Sequence, residues 1–153
     1  MKRIASFEVN HNILERGMYT SRIDGDAVTY DIRMRRPNKE PVISNAAIHT
    51  IEHLFATFVR NSEYAQGIIY FGPMGCRTGF YFIVRDSISP DTAIKLAHDA
   101  FKFIAEYAGE IPGATEIECG NFREHSLEEA KKEAADFYPV LENWTAEMLK
   151  YKE

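Results

Sequence analysis

His49-Thr50-Ile51-Glu52-His53 sets two imidazoles and a carboxylate on about one turn of a helix. At roughly 100° per residue, His49 and His53 lie about 40° apart in projection, with Glu52 about 60° to one side, near enough to reach whatever the histidines bind. The neighbours support the helix. Ala47, Ile51, Leu54, Phe55 and Phe58 form an apolar stripe, and the histidines project from the opposite side between the small residues Ala46 and Ala56. Such a helix is expected to be covered on both faces, and imidazoles in a partly dry setting need partners. The pattern predicts a metal site with a built-in base, in a fold organised around this helix.

Working outward, Val28-Thr29-Tyr30-Asp31-Ile32-Arg33-Met34-Arg35 alternates apolar with polar residues, the period of a half-covered strand, and Arg36-Pro37-Asn38 ends it. Ser44 or Asn45 caps the histidine helix. Two β-rich runs follow, Gly67 to Phe71 and Phe80 to Arg85, separated by the turn-forming segment Gly72 to Gly79, which puts Cys76 on a loop between strands. Ser89-Pro90-Asp91 opens a second helix, in which Ile94, Ala97, Phe101, Ile104 and Ala108 recur at helical spacing before Gly109. Glu116 to Cys119 is expected to be a short strand or extended segment. Ser126-Leu127-Glu128-Glu129 has the form of a capping box opening a third helix, and Val140 to Tyr151 is expected to be helical too. Strands and helices mixed without a regular β-α-β repeat predict an α+β fold, a largely antiparallel sheet with helices packed on one face, in a single domain spanning 1–153.

Composition narrows the function. A hydrophobic content of 45% in 153 residues suits one sizeable core, and a formal charge of -5 opposes general binding to a phosphate backbone despite the short basic run Arg33, Arg35, Arg36. Nucleic acid is not an expected partner. Met1 to Glu8 lacks an apolar signal core, and no run approaches the roughly 18 apolar residues of a membrane span, so a cytoplasmic protein is expected. The two cysteines, Cys76 and Cys119, are then reduced, and each adjoins a glycine where the backbone can turn and leave the sulfur open.

Zinc and ferrous iron both accept two imidazoles and a thiolate, and a catalytic metal keeps one position open. His49, His53 and one cysteine make that set, leaving Glu52 and the other cysteine to move protons. Local sequence does not distinguish the cysteines. Two alternatives use the same residues. An inverzincin-like metallopeptidase would take Glu52 as its base and draw a third ligand from Glu128 or Glu129. A non-catalytic protein would close a four-ligand site with both cysteines. The remaining histidines are assigned bland roles: His98 to packing or surface, His125 to local structure before a helix cap.

Five segments together carry a resemblance: Ser6-Phe7-Glu8-Val9-Asn10-His11; Tyr30-Asp31-Ile32-Arg33 before Arg36-Pro37-Asn38; His49-Thr50-Ile51-Glu52-His53-Leu54; Pro73-Met74-Gly75-Cys76-Arg77-Thr78-Gly79-Phe80-Tyr81; and Glu118-Cys119-Gly120. In this order and spacing, nearly end to end, the chain closely resembles the S-ribosylhomocysteine lyase family, LuxS. The resemblance implies that His49, His53 and Cys119 hold the metal, ferrous iron with zinc or cobalt able to replace it, and that Cys76 and Glu52 are the proton-transfer pair. It matches Ser6, His11 and Arg33 to substrate-contacting positions and implies a homodimer with active sites at the interface. The implied reaction cleaves S-ribosylhomocysteine to homocysteine and 4,5-dihydroxypentane-2,3-dione, precursor of a quorum-sensing autoinducer, by migrating the sugar carbonyl until the sulfur is β to it and leaves by elimination. The chain departs from the family at Tyr70-Phe71-Gly72, where many members carry Asp-Ile-Ser, so contacts to the homocysteine end are expected to differ here.

Overall fold

The computed structural model describes residues 1–153. Its first regular elements are a single turn α1 (Ala5–Glu8), then strands β1 (Gly17–Asp24) and β2 (Ala27–Arg33). Helix α2 (Asn45–Arg60) carries the histidines and starts where Ser44 accepts a hydrogen bond from the Ala47 N–H. Strands β3 (Ile68–Pro73) and β4 (Gly79–Arg85) form a hairpin, followed by α3 (Pro90–Glu106) and α4 (Leu127–Leu141). The strands make one four-stranded sheet in the order β1-β2-β4-β3, antiparallel at every pairing.

Alternation along the central strands sorts residues between two faces. Val28, Tyr30 and Ile32 of β2 and Phe80, Phe82 and Val84 of β4 are buried, pair across the ladder and face the helices. Helix α2 packs on β3 and against α3 and α4, so its Ile51, Leu54 and Phe55 reach the centre of the core. Phe55 anchors the junction, stacked on Phe71 with ring centroids 3.7 Å apart and edge-on to Phe82 and Phe101. The helices therefore cover one face, as the α+β pattern predicts.

Three segments differ from their sequence-based expectations. Strand β1 was not anticipated, because the pairing with β2 shifts register between Thr20 and Arg22 and the bulge breaks the two-residue period. Glu116 to Cys119 is a turn rather than a strand, tied by the Glu118 and Cys119 N–H groups to the Thr115 carbonyl. Val140 to Tyr151 is not one helix. Helix α4 ends at Leu141, just after Pro139, and only Ala146–Leu149 forms a further 3-10 turn. Tertiary contacts win there: the Trp144 indole N–H donates to the Met18 carbonyl at 2.8 Å, and Tyr151 stacks on Tyr19.

The basic run is spent internally. Arg33 pairs with Asp31, Arg35 with Glu133, and Arg36 with Glu40. Glu40 also holds Arg16, tying the β2–α2 loop to the segment before β1. The Arg16 hydrogen bond, reinforced by the Arg36 backbone and side chain against the cost of burial, pulls the Glu40 carboxyl from its ordinary 4.5 down to about 2. A depressed folded-state pKa contributes stability that is complete above the unfolded value and disappears as pH falls through the folded one. The stability advantage of wild type over Glu40→Gln, read from urea unfolding, should therefore shrink between about pH 5 and about pH 2. A constant difference across that window would contradict the assignment.

Candidate functional site

Helix α2 and the long α3–α4 connection build one half of the site. His49 and His53 stand one turn apart on α2, and the connection supplies Cys119 and His125, so that one nitrogen or sulfur from each of the four lies within 4.8 Å of the others. Cys119 Sγ is 3.3 Å from His49 Nε2 and 3.9 Å from His125 Nε2. The Nδ1 atoms of His49 and His53 each lie 2.8 Å from a backbone carbonyl, of Glu124 and Pro112 respectively. A carbonyl only accepts, so both rings carry their proton on Nδ1 and turn an Nε2 lone pair into the cluster. Gly113, at φ +68°, lets the chain turn beside His53 just after that carbonyl.

Two oriented imidazole lone pairs and a thiol form a donor set that fits zinc, ferrous iron or cobalt, and the carbonyl partners are the orienting contacts that metal-ligating histidines ordinarily have. The expectation for His125 needs correction. It is a member of the cluster, not merely local structure, with its ring stacked on His49 at a centroid distance of 3.8 Å. Burial first, and then repulsion from His49 and His53 whenever those rings are protonated, pushes its pKa down to about 4. The signal in the sequence was its position six residues after Cys119 together with Thr50, a polar residue on the buried face of α2 whose hydroxyl meets His125 Nδ1.

Glu52 lines a cleft of about 380 Å³ with His53, Arg60 and Tyr70. The Tyr70 ring lies back over Gly72, where a Cβ would collide with it.

The hairpin turn between β3 and β4 builds the other half. Cys76 is exposed at its tip and lines a separate cleft of about 230 Å³ with Ser6, His11, Arg33 and Tyr81. Its sulfur lies 3.0 Å from Thr78 Oγ1 and 4.0 Å from Arg33 Nη1. Arg33 is buried. Asp31 accepts from its Nε and Nη2 at 3.1 and 2.7 Å, Thr78 accepts from Nη1, and the Tyr151 hydroxyl donates to Asp31 at 2.7 Å. Burial and the Asp31 charge raise the Tyr151 phenol above its ordinary range, which keeps it a donor.

The structure thus gathers His49, His53, Cys119 and Glu52 in one place and Ser6, His11, Arg33 and Cys76 in another. The two clefts share no lining residue. Cys76 lies outside the histidine cluster, which removes the four-ligand site built from both cysteines. Glu128 and Glu129 are also outside it, in the first turn of α4, where the Glu129 N–H is taken by the Ser126 cap.

Residues 4–148 match the family described as S-Ribosylhomocysteinase (LuxS). An S-ribosylhomocysteine lyase of Clostridium acetobutylicum is 48% identical over 158 residues, covering 100% of both chains. Proteins of the same name from Borreliella afzelii and Desulfotalea psychrophila are 47% and 45% identical, each over 99% of both chains. The chain belongs to the LuxS family.

Proposed function

We propose that this chain, as one domain over 1–153, is a metal-dependent carbon–sulfur lyase that converts S-ribosylhomocysteine to homocysteine and 4,5-dihydroxypentane-2,3-dione, the autoinducer-2 precursor. The observation that carries the proposal is the nitrogen and sulfur donor cluster with a carboxylate beside it, in a chain whose full-length relatives bear the lyase name. His49, His53 and Cys119 hold the divalent ion, ferrous iron with Zn2+ or Co2+ as replacements. When bound, that ion supplies Lewis-acid polarisation of the sugar oxygens. Glu52 and Cys76 move protons between neighbouring carbons and oxygens, so that the carbonyl travels along the chain until removal of an α-proton expels the β-sulfur. Ser6, His11 and Arg33 hold the sugar from the thiol side.

Glu52 and Cys76 must meet the same substrate, yet each chain keeps them in separate clefts. We therefore assign the active site to a homodimer, in which the Cys76 cleft of one copy closes over the metal cleft of its partner. Exposed apolar side chains at Ile4, Phe7 and Tyr70 support a covered surface beside these clefts. Both thiols are free, as proton transfer and metal binding require, which supports a reducing cytoplasmic setting. No helix is long and apolar enough to cross a membrane.

Metal removal tests the reading. Protein stripped with a chelator should release no thiol from S-ribosylhomocysteine, and anaerobic restoration with Fe2+, Zn2+ or Co2+ should bring release back. A stripped protein at the full rate, or a folded, metal-loaded protein that releases none, would contradict it.

A further inference from the structure

We infer that His125 is not a fourth metal ligand but a positioning residue, fixed by Thr50 with its proton on Nε2 and donating that proton to the Cys119 sulfur. The inference rests on the assignment of His49, His53 and Cys119 as the metal donors, and it follows from counting protons around the cluster.

The three imidazoles are held in two different ways. Backbone carbonyls fix His49 and His53 with the proton on Nδ1 and a lone pair on Nε2. His125 Nδ1 faces a hydroxyl instead, Thr50 Oγ1 at 2.9 Å. Thr50 is fully buried. Its oxygen already accepts from the Ser126 backbone N–H at 3.0 Å, and an amide can only donate. The hydroxyl hydrogen must then go elsewhere, and His125 Nδ1 is the acceptor within reach. The reverse arrangement, with His125 donating to Thr50, strands a buried hydroxyl proton, which folded proteins avoid.

An Nδ1 that accepts leaves the proton on Nε2, and that nitrogen has no in-plane lone pair to offer a metal. It has a hydrogen to give, and Cys119 Sγ lies 3.9 Å away. Stacking on His49, at 3.8 Å and 22° between planes, keeps the ring from swinging out. The same Thr50 side chain thus sits on the helix that carries both imidazole donors, fixes the third ring, and anchors the start of α4 through Ser126. A hydrogen bond to a thiolate draws electron density from the sulfur, so the ion it holds stays more electrophilic toward substrate oxygens.

Co2+ loaded into the stripped protein reports on this directly, because the near-ultraviolet charge-transfer band follows the sulfur lone-pair energy while the visible bands follow coordination number. His125→Phe keeps a flat ring against His49 but removes the donor. It should move the charge-transfer band to longer wavelength, leave the visible bands at wild-type intensity, and weaken Co2+ binding by about tenfold. His125→Gln restores an N–H and should return the band toward wild type. Thr50→Val, which leaves His125 in place without its tautomer lock, should shift the band in the same direction as His125→Phe. A change in the visible bands of His125→Phe that His125→Gln does not repair would make His125 a ligand and overturn the inference. An unmoved charge-transfer band in His125→Phe would overturn it equally. A wild type with no thiolate band at all would remove the metal assignment and the inference with it.

Discussion

Cys76→Ala and Glu52→Gln should each lose thiol release from S-ribosylhomocysteine by about 10²- to 10⁴-fold, the contribution of a positioned proton-transfer group. Mixing the two inactive proteins under conditions that exchange subunits should restore about a quarter of wild-type activity, by the arithmetic of a two-fold dimer. Random exchange makes half the dimers mixed, and in a mixed dimer one of the two sites draws Glu52 from the Cys76→Ala copy and Cys76 from the Glu52→Gln copy. The other site has neither. Recovery would not occur if both groups served the same site from one chain, because every site would then keep its defect. The measurement is homocysteine release before and after exchange, with each variant exchanged against itself as the control.

Arg33→Met should destabilise the chain by about 3–5 kcal/mol, because it strands the Asp31 carboxylate in a place where both side chains are almost dry. Their relative exposures, 4% and 2%, decide the size of the effect, since an exposed pair would contribute under about 1 kcal/mol. For a chain of this length the loss corresponds to a thermal midpoint lower by roughly 6–20 °C. Replacing both partners, Asp31→Leu with Arg33→Met and Tyr151→Phe, removes the charge pair and the phenol that donates to it. This triple variant should recover much of the lost stability while remaining inactive, which separates the structural work of Arg33 from its place beside Cys76. Urea unfolding and homocysteine release, at matched protein concentration, give both readouts. A loss below about 1 kcal/mol in Arg33→Met would contradict the buried pair.

The legible parts of the sequence were those where one period dominates. Helix α2 announces itself because its apolar stripe and its histidines occupy opposite sides, and the Cys76 turn because glycine and proline bracket it. Strand β1 was hidden by a bulge that breaks its alternation. The segment after Leu141 has helical spacing but is held by Trp144 and Tyr151 against β1, contacts made across more than a hundred residues of sequence. His125 was misread for a related reason. Its partners Thr50 and His49 are about 75 residues away, and only the folded α3–α4 connection brings them together. The burial of Arg33 was equally hidden, because Tyr151, which donates to its Asp31 partner and lines the same cleft, comes from the far end of the chain. Local pattern revealed which residues carry chemistry, whereas closure from distant segments determined their protonation and burial.

The central claim is that the carbon–sulfur bond breaks by elimination after carbonyl migration, and the products tell this apart from every hydrolytic route. Anaerobically iron-loaded protein given S-ribosylhomocysteine should yield homocysteine and 4,5-dihydroxypentane-2,3-dione in equal amounts, quantified in the same reaction. Homocysteine accompanied by ribose, or no thiol from a folded and metal-loaded protein, would contradict the account.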